Sequence, residues 1–139
     1  MSVMHGVERC LWEYKANLAS QAAMREEIAG LMSVRGHSYE AHVISVASDP
    51  VADVTNRILN LEHKIKSSER RTRPVEKLQV DLQGSDMYIS QMGKILSLRY
   101  IEHESIEAVM DELAISSATF WRRTKELIRT ARKYFGQEE

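Results

Sequence analysis

Apolar positions recur along much of the chain at three- and four-residue steps, the spacing of one face of an α-helix. Between residues 4 and 32, Leu11, Tyr14, Leu18, Ala22, Ile28 and Met32 share one side. Glu8, Glu13, Arg25, Glu26 and Glu27 lie mostly elsewhere, and Gly30 and Gly36 weaken the end of this predicted helix. The stretch "SVRGHSYEAHVISVASDP", residues 33–50, loses the period. It mixes Gly, Ser and His with the β-prone run from Val43 to Val46, and reads as a loop or linker with at most one short helical turn. A loop of that length is uncommon inside a compact domain, so it predicts either a mobile segment or a divide between two functional parts.

Asp49-Pro50 resembles a helix entry, with proline near the first helical position. Val51, Val54, Ile58, Leu61 and Ile65 follow in regular alternation. Pro74 is expected to interrupt that helix, because the residue before a proline is pushed out of helical geometry. A second stripe comprises Val75, Leu78, Leu82, Ser85, Ile89, Met92 and Leu96; Gly84 and Ser85 offer a break in it, with Ser85 as the cap of a new helix. Two readings of these stripes stand side by side: core packing between neighbouring helices, and an antiparallel coiled-coil arm that also dimerises.

In the last third, Leu96, Leu98, Tyr100 and Ile101 end one helix, and "EHES" makes a turn. Ser105 is a suitable N-cap for a helix whose Ile106, Val109, Met110 and Leu113 form one apolar face. Ala114 and Ile115 make a short connection, and Ser116 caps the final helix. The fold class is therefore all-α. The chain divides into an N-terminal helix and loop (1–48), a helical lead-in or oligomerisation region (49–97) and a two-helix C-terminal unit (86–139), the last two overlapping.

Composition agrees. In 139 residues there are two prolines and six glycines, so long regular elements are expected. The single cysteine, Cys10, cannot form an intramolecular disulfide and suits a reducing compartment. There is no transmembrane-length apolar run, and "MSVMHGVERCLWEYK" has no secretory pattern. An intracellular, soluble protein is expected, with no membrane partner.

Charge changes the picture at one place. The chain carries a net charge of −1, yet Ser116 to Phe135 holds six Lys and Arg against one Glu. At 100° per residue, Thr124, Leu127, Ile128, Ala131, Tyr134 and Phe135 gather around Phe120 as a buried face. Ala118, Arg122, Lys125 and Arg129 gather opposite, with Trp121 and Arg132 on one edge and Lys133 on the other. Two short helices joined by about three residues, the second one basic, match the helix-turn-helix. Such a helix fits the major groove, where Arg donates paired hydrogen bonds to guanine and further cations neutralise phosphates. Small residues at its start, Ser117 and Ala118, permit close approach, and its N-terminus favours a phosphate. The bland alternative is a solvated basic face. Dipole stabilisation accounts for Arg129, Arg132 and Lys133 near the C-terminus, but poorly for Arg122 and Lys125 near the N-terminal end.

The segment "KILSLRYIEHESIEAVMDELAISSATFWRRTKELIRTA" resembles the region-four helix-turn-helix of bacterial sigma factors, and more closely the phage-encoded transcriptional regulators of the ArpU and RinA type. The residues that carry the likeness are Arg99-Tyr100-Ile101, Ser116, and Thr119-Phe120-Trp121-Arg122. The upstream "SDPVADVTNRILNLEHKI" resembles the helical lead-in of such regulators, so the likeness runs over about residues 49–135. The resemblance implies a regulator of late phage or prophage genes in the bacterial cytoplasm. It makes Ser117, Ala118, Trp121, Arg122 and Lys125 the DNA-facing positions. Ala114 stands where the sigma-like turn often has Gly, and fits there with a negative φ.

Other signals are weaker. His5, His37, His42, His63 and His103 are spread out, with no zinc spacing. No phosphate loop or nucleophile elbow occurs, so no enzyme, metal or cofactor is expected. Lys64, Lys66, Arg70, Arg71, Arg73 and Lys77, against Glu62, Glu69 and Glu76, form a second basic cluster: a solvated face, or an added phosphate contact. The expected function is sequence-specific binding of double-stranded DNA in transcriptional control. The expected site is Ser116, Ser117, Ala118, Thr119, Trp121, Arg122, Lys125, Arg129, Arg132 and Lys133. Glu107, Asp111 and Glu112 could face RNA polymerase, and a homo-oligomer, with a dimer favoured, would lengthen the DNA site. The rivals are a phage DNA-packaging subunit of the small terminase type and an RNA polymerase adaptor that touches no DNA.

Overall fold

A computed structural model describes residues 6–42, 50–84 and 86–136. The fold is all-α, with no strand among the described residues. In chain order the elements are α1 (Gly6–Trp12), α2 (Tyr14–His42), α3 (Pro50–Asp81), α4 (Met87–Ile95), a π-helical turn (Leu96–Ile101), α5 (Ile106–Leu113) and α6 (Ser117–Tyr134). No helix is long and apolar enough to cross a membrane among the described residues.

The chain forms two compact units. One combines the N-terminal residues to Asn17 with Arg71 onward; the other is Leu18–Arg70. The second unit is an antiparallel helix pair. Gln21 donates to Ser68 Oγ at 2.9 Å, Arg25 pairs with Glu69 at 2.6 Å, and Arg57 pairs with Glu27 at 2.7 Å. Between the Gln21–Ser68 and Glu27–Arg57 pairs the numbering rises on α2 and falls on α3, which fixes the direction. Ile58, Leu61 and Ile65 of α3 are buried, and Ile28 of α2 is half-buried.

Three expectations about helix boundaries need correction. The loop expected from residue 33 is helical as far as His42. Gly36 costs a helix about 1 kcal/mol, and propagation from a long preceding helix needs no new nucleation. The rest of that stretch, residues 43–49, lies outside the described residues. Pro74 does not end its helix, because α3 runs through it to Asp81. Proline removes one backbone hydrogen bond, but buried Thr72 before it and buried Val75 and Leu78 after it keep the helix on one packed face. The cap of α4 is Asp86 rather than Ser85: its carboxylate accepts from Tyr88 N at 2.8 Å and Ile89 N at 3.2 Å.

The first unit holds the larger core. Leu11, Val75, Leu78, Ile95, Leu96, Val109, Phe120 and Leu127 are at most 1% exposed. α4 packs on α6, and α1 packs on both α6 and the π-helical turn. Gly93 permits a close approach within this unit, since a Cβ there would lie 3.0 Å from the Leu82 carbonyl oxygen. Ser105 caps α5 as expected, accepting from Ala108 N at 3.1 Å. The turn between α5 and α6 differs from expectation at one residue. Ala114 has φ 54 and ψ 48, a left-handed conformation, not the negative φ anticipated. Its backbone N–H reaches the carbonyls at the end of α5, and the Ile115 N–H bonds Met110 O at 3.1 Å. That closing geometry is the one glycine usually supplies.

An L-residue held left-handed costs about 1–2 kcal/mol, which glycine avoids. Ala114→Gly is therefore expected to stabilise the protein by about 1 kcal/mol. The check is a raised denaturant midpoint at unchanged slope.

Candidate nucleic-acid interface

Serine 116 begins α6 by accepting a hydrogen bond from Thr119 N at 3.2 Å and donating one to Thr119 Oγ1 at 3.1 Å. Both side chains are thus committed to the cap. Successive turns then bury one edge: Phe120, Thr124, Leu127 and Ala131 are each at most 6% exposed. This sets the rotation of α6 and with it the direction of every charged side chain.

Ser117 and Ala118 stand exposed on the first turn, as expected. Arg122, Lys125, Arg129, Arg132 and Lys133 are all exposed. Arg122, Lys125 and Arg132 form no ion pair among the described residues, whereas Arg129 pairs with Glu126 at 3.0 Å. Trp121 is 53% exposed, its ring edge-on to Phe120 with centroids 5.1 Å apart. Ser116, Ser117, Ala118, Trp121, Arg122, Lys125, Arg129, Arg132 and Lys133 therefore all border solvent on one helix, and Thr119 is half-buried.

The remaining basic residue of α6 has a different task. Arg123 lies 4.1 Å over the Tyr88 ring and donates to Gln91 Oε1 at 2.9 Å. Tyr88 donates in turn to Glu126 Oε2 at 2.7 Å, which raises the Tyr88 pKa from its ordinary value. This cluster ties α4 to α6. In the helical wheel Arg123 falls beside the buried edge, the one sequence signal that separates it from the outward cations.

Contacts from α1 brace the same unit. Tyr100 donates to Glu8 Oε2 at 2.7 Å, and burial, followed by that hydrogen bond, pushes the Tyr100 hydroxyl well above its usual pKa. The Trp12 ring stacks on His103 with centroids 3.8 Å apart, and Arg99 sits 4.9 Å over it. His103 Nε2 is 2.8 Å from the Trp12 carbonyl oxygen. A carbonyl only accepts, so that nitrogen donates. An open groove of about 430 Å³ lies beside α6, bordered by Trp121, Thr124, Lys125, Ile128, Arg129 and Arg132, and by Glu8 of α1. Neither Glu8 nor Thr124 stands out in the sequence as a site residue, because only the docking of α1 brings them to this groove.

The second basic cluster, Lys64 to Lys77, is exposed along α3. Among the described residues, no group of three or more His, Cys, Asp or Glu is placed to hold a metal ion. Burial raises the Cys10 thiol, opposed by the charge of Arg71.

Residues 48–133 match a protein family described as a protein of unknown function, DUF1492. The chain belongs to the DUF1492 family. The matched span holds α3 to α6 almost entire, and so includes every outward cation of the ridge. No curated protein and no solved structure matches the chain.

The far end of α6 is fastened by Tyr134, which donates to Asp81 Oδ2 at 2.6 Å. That bond, with a smaller desolvation, pushes the Tyr134 pKa up to about 12. A raised pKa in the folded state means the contribution is fully present below the unfolded value of about 10. It is lost as pH rises through the folded value. Stability measured by denaturation should therefore fall across this alkaline window, and Tyr134→Phe should show a smaller fall.

Proposed function

We propose that this member of the DUF1492 family is a sequence-specific DNA-binding transcriptional regulator, with α5 and α6 as a helix-turn-helix and α6 as the helix that enters the major groove. The observation that carries the reading is the exposure of Arg122 and Lys125, without ion-pair partners among the described residues, on the side of α6 away from Phe120. Cations in the N-terminal half of a helix oppose its dipole. The dipole gives Arg122 and Lys125 no stabilisation at these positions, and an anionic partner accounts for their outward placement.

In this mechanism the first turn, Ser117 and Ala118, approaches the duplex with little bulk. Arg122 and Lys125 read base edges or anchor the helix, and Arg129, Arg132 and Lys133 hold phosphates. Trp121 supplies apolar contact. The exposed acids of α5, Glu107, Asp111 and Glu112, would repel phosphates if they faced DNA, and suit a basic surface of RNA polymerase instead. A phage or prophage gene activator in the bacterial cytoplasm fits this arrangement, and a homodimer would give the length of site that one short module lacks.

Binding to fragments of the host genome over a salt series tests the proposal. A major-groove Arg122 makes Arg122→Ala lose about 1–3 kcal/mol on the preferred fragment and relax specificity at one position. Lys125→Ala, if it anchors phosphate, lowers the log–log salt slope by about one. Full regulatory function with Arg122→Ala, together with weak and uniform binding to every fragment, would favour the adaptor reading instead.

A further inference from the structure

The groove between α1 and α6 adds a contact that an outward ridge alone does not require. Lys125, Arg129 and Arg132 border it against the single carboxylate of Glu8, so its field favours an anion. Arg129 is shared with Glu126, which leaves Lys125 and Arg132 as its uncommitted cations among the described residues. Thr124 also borders it. This residue is 6% exposed, and its Oγ1 is buried without a hydrogen-bond partner. Buried hydroxyls in folded proteins are ordinarily satisfied, so this one lacks a partner, which a ligand oxygen would supply. Trp121, more than half exposed, offers a π face beside these groups, as nucleic-acid-binding surfaces do for a sugar or base.

A bare inorganic anion would leave Trp121 and much of a volume of about 430 Å³ unused. We propose that the groove seats one sugar–phosphate unit of the DNA strand flanking α6, with Lys125, Arg132 and the Thr124 hydroxyl toward the phosphate and Trp121 toward the sugar. Glu8 opposes the phosphate and so limits affinity. Its carboxylate is held in place by the Tyr100 hydroxyl at 2.7 Å. The inference rests on the DNA-binding reading and adds to it: α1, which lies outside the family match, becomes part of the interface and tunes its strength.

The test uses the full chain and a duplex that the wild-type protein binds, followed by fluorescence anisotropy over a salt series. Arg132→Ala should lower the salt slope by about one. Thr124→Val should weaken binding several-fold at unchanged slope, because the lost donor is neutral, and Thr124→Ser should restore it. Glu8→Gln should tighten binding several-fold, since glutamine still accepts the Tyr100 hydroxyl while the opposing charge is gone. Wild-type affinity and slope in all of these variants would overturn the proposal while leaving the DNA reading intact. Equal losses in Thr124→Val and Thr124→Ser would also overturn it, by tracing the effect to packing. A tryptophan-fluorescence titration with a nucleoside monophosphate separates the two sources of the unit. Saturation at micromolar concentration without competition against duplex would assign the groove to a free nucleotide and overturn the strand assignment. Absence of any duplex binding by the wild-type chain would sink the DNA reading itself.

Discussion

The burial of one edge of α6 against its neighbours governs everything else at the candidate interface. Phe120, Thr124, Leu127 and Ala131 repeat at three- and four-residue steps and are nearly solvent-free. Fully burying a side chain such as Phe or Leu contributes about 1.5–3 kcal/mol. No exposed ion pair competes with that, since such pairs contribute at most about 1 kcal/mol. Hydrophobic burial therefore chooses the rotation of the helix, and the cations go where that rotation sends them. A half-turn in the other sense would take Arg122 and Lys125 out of water and expose Phe120 and Leu127 to it.

Supporting elements hold that rotation rather than create it. Ser116 fixes where α6 begins, and the left-handed Ala114 fixes how α5 hands over to it. Arg123, Tyr88, Gln91 and Glu126 clamp α6 to α4, and Tyr134 fastens its far end to Asp81. In this frame one arginine of a consecutive pair is structural and the other is presented. Arg122 and Arg123 are chemically identical, and their tasks differ only through a step of 100° around the helix.

How much was legible in the sequence differs from place to place. The caps at Ser105 and Ser116, the apolar edge around Phe120 and the outward ridge are local, periodic features, and they could be read directly. The breaks were harder. Pro74 reads as an ending, but buried Thr72 and Val75 on either side of it keep the packed face continuous. The polar pair Gln21 and Ser68 carries no apolar signal, although Gln21 is buried and bonds Ser68 between α2 and α3. Met32 and Ala22, by contrast, fall on the apolar side by their spacing and are exposed. Ala114 was expected with an ordinary φ, because nothing in the sequence announces a left-handed alanine. Glu8 and Thr124 were beyond reach for another reason: more than a hundred residues separate them along the chain, and only the tertiary packing of α1 brings them to one groove.

The face of α6 turned away from Phe120 is the surface proposed to meet a double helix. Amide and indole NMR shifts of the full chain, recorded while a bound duplex is titrated in, test it most directly. The largest changes are expected on Ser117, Ala118, Trp121, Arg122 and Lys125, with the helix pair of residues 18–70 little altered. Changes confined to residues 18–70, with those of α6 unmoved at saturation, would contradict it.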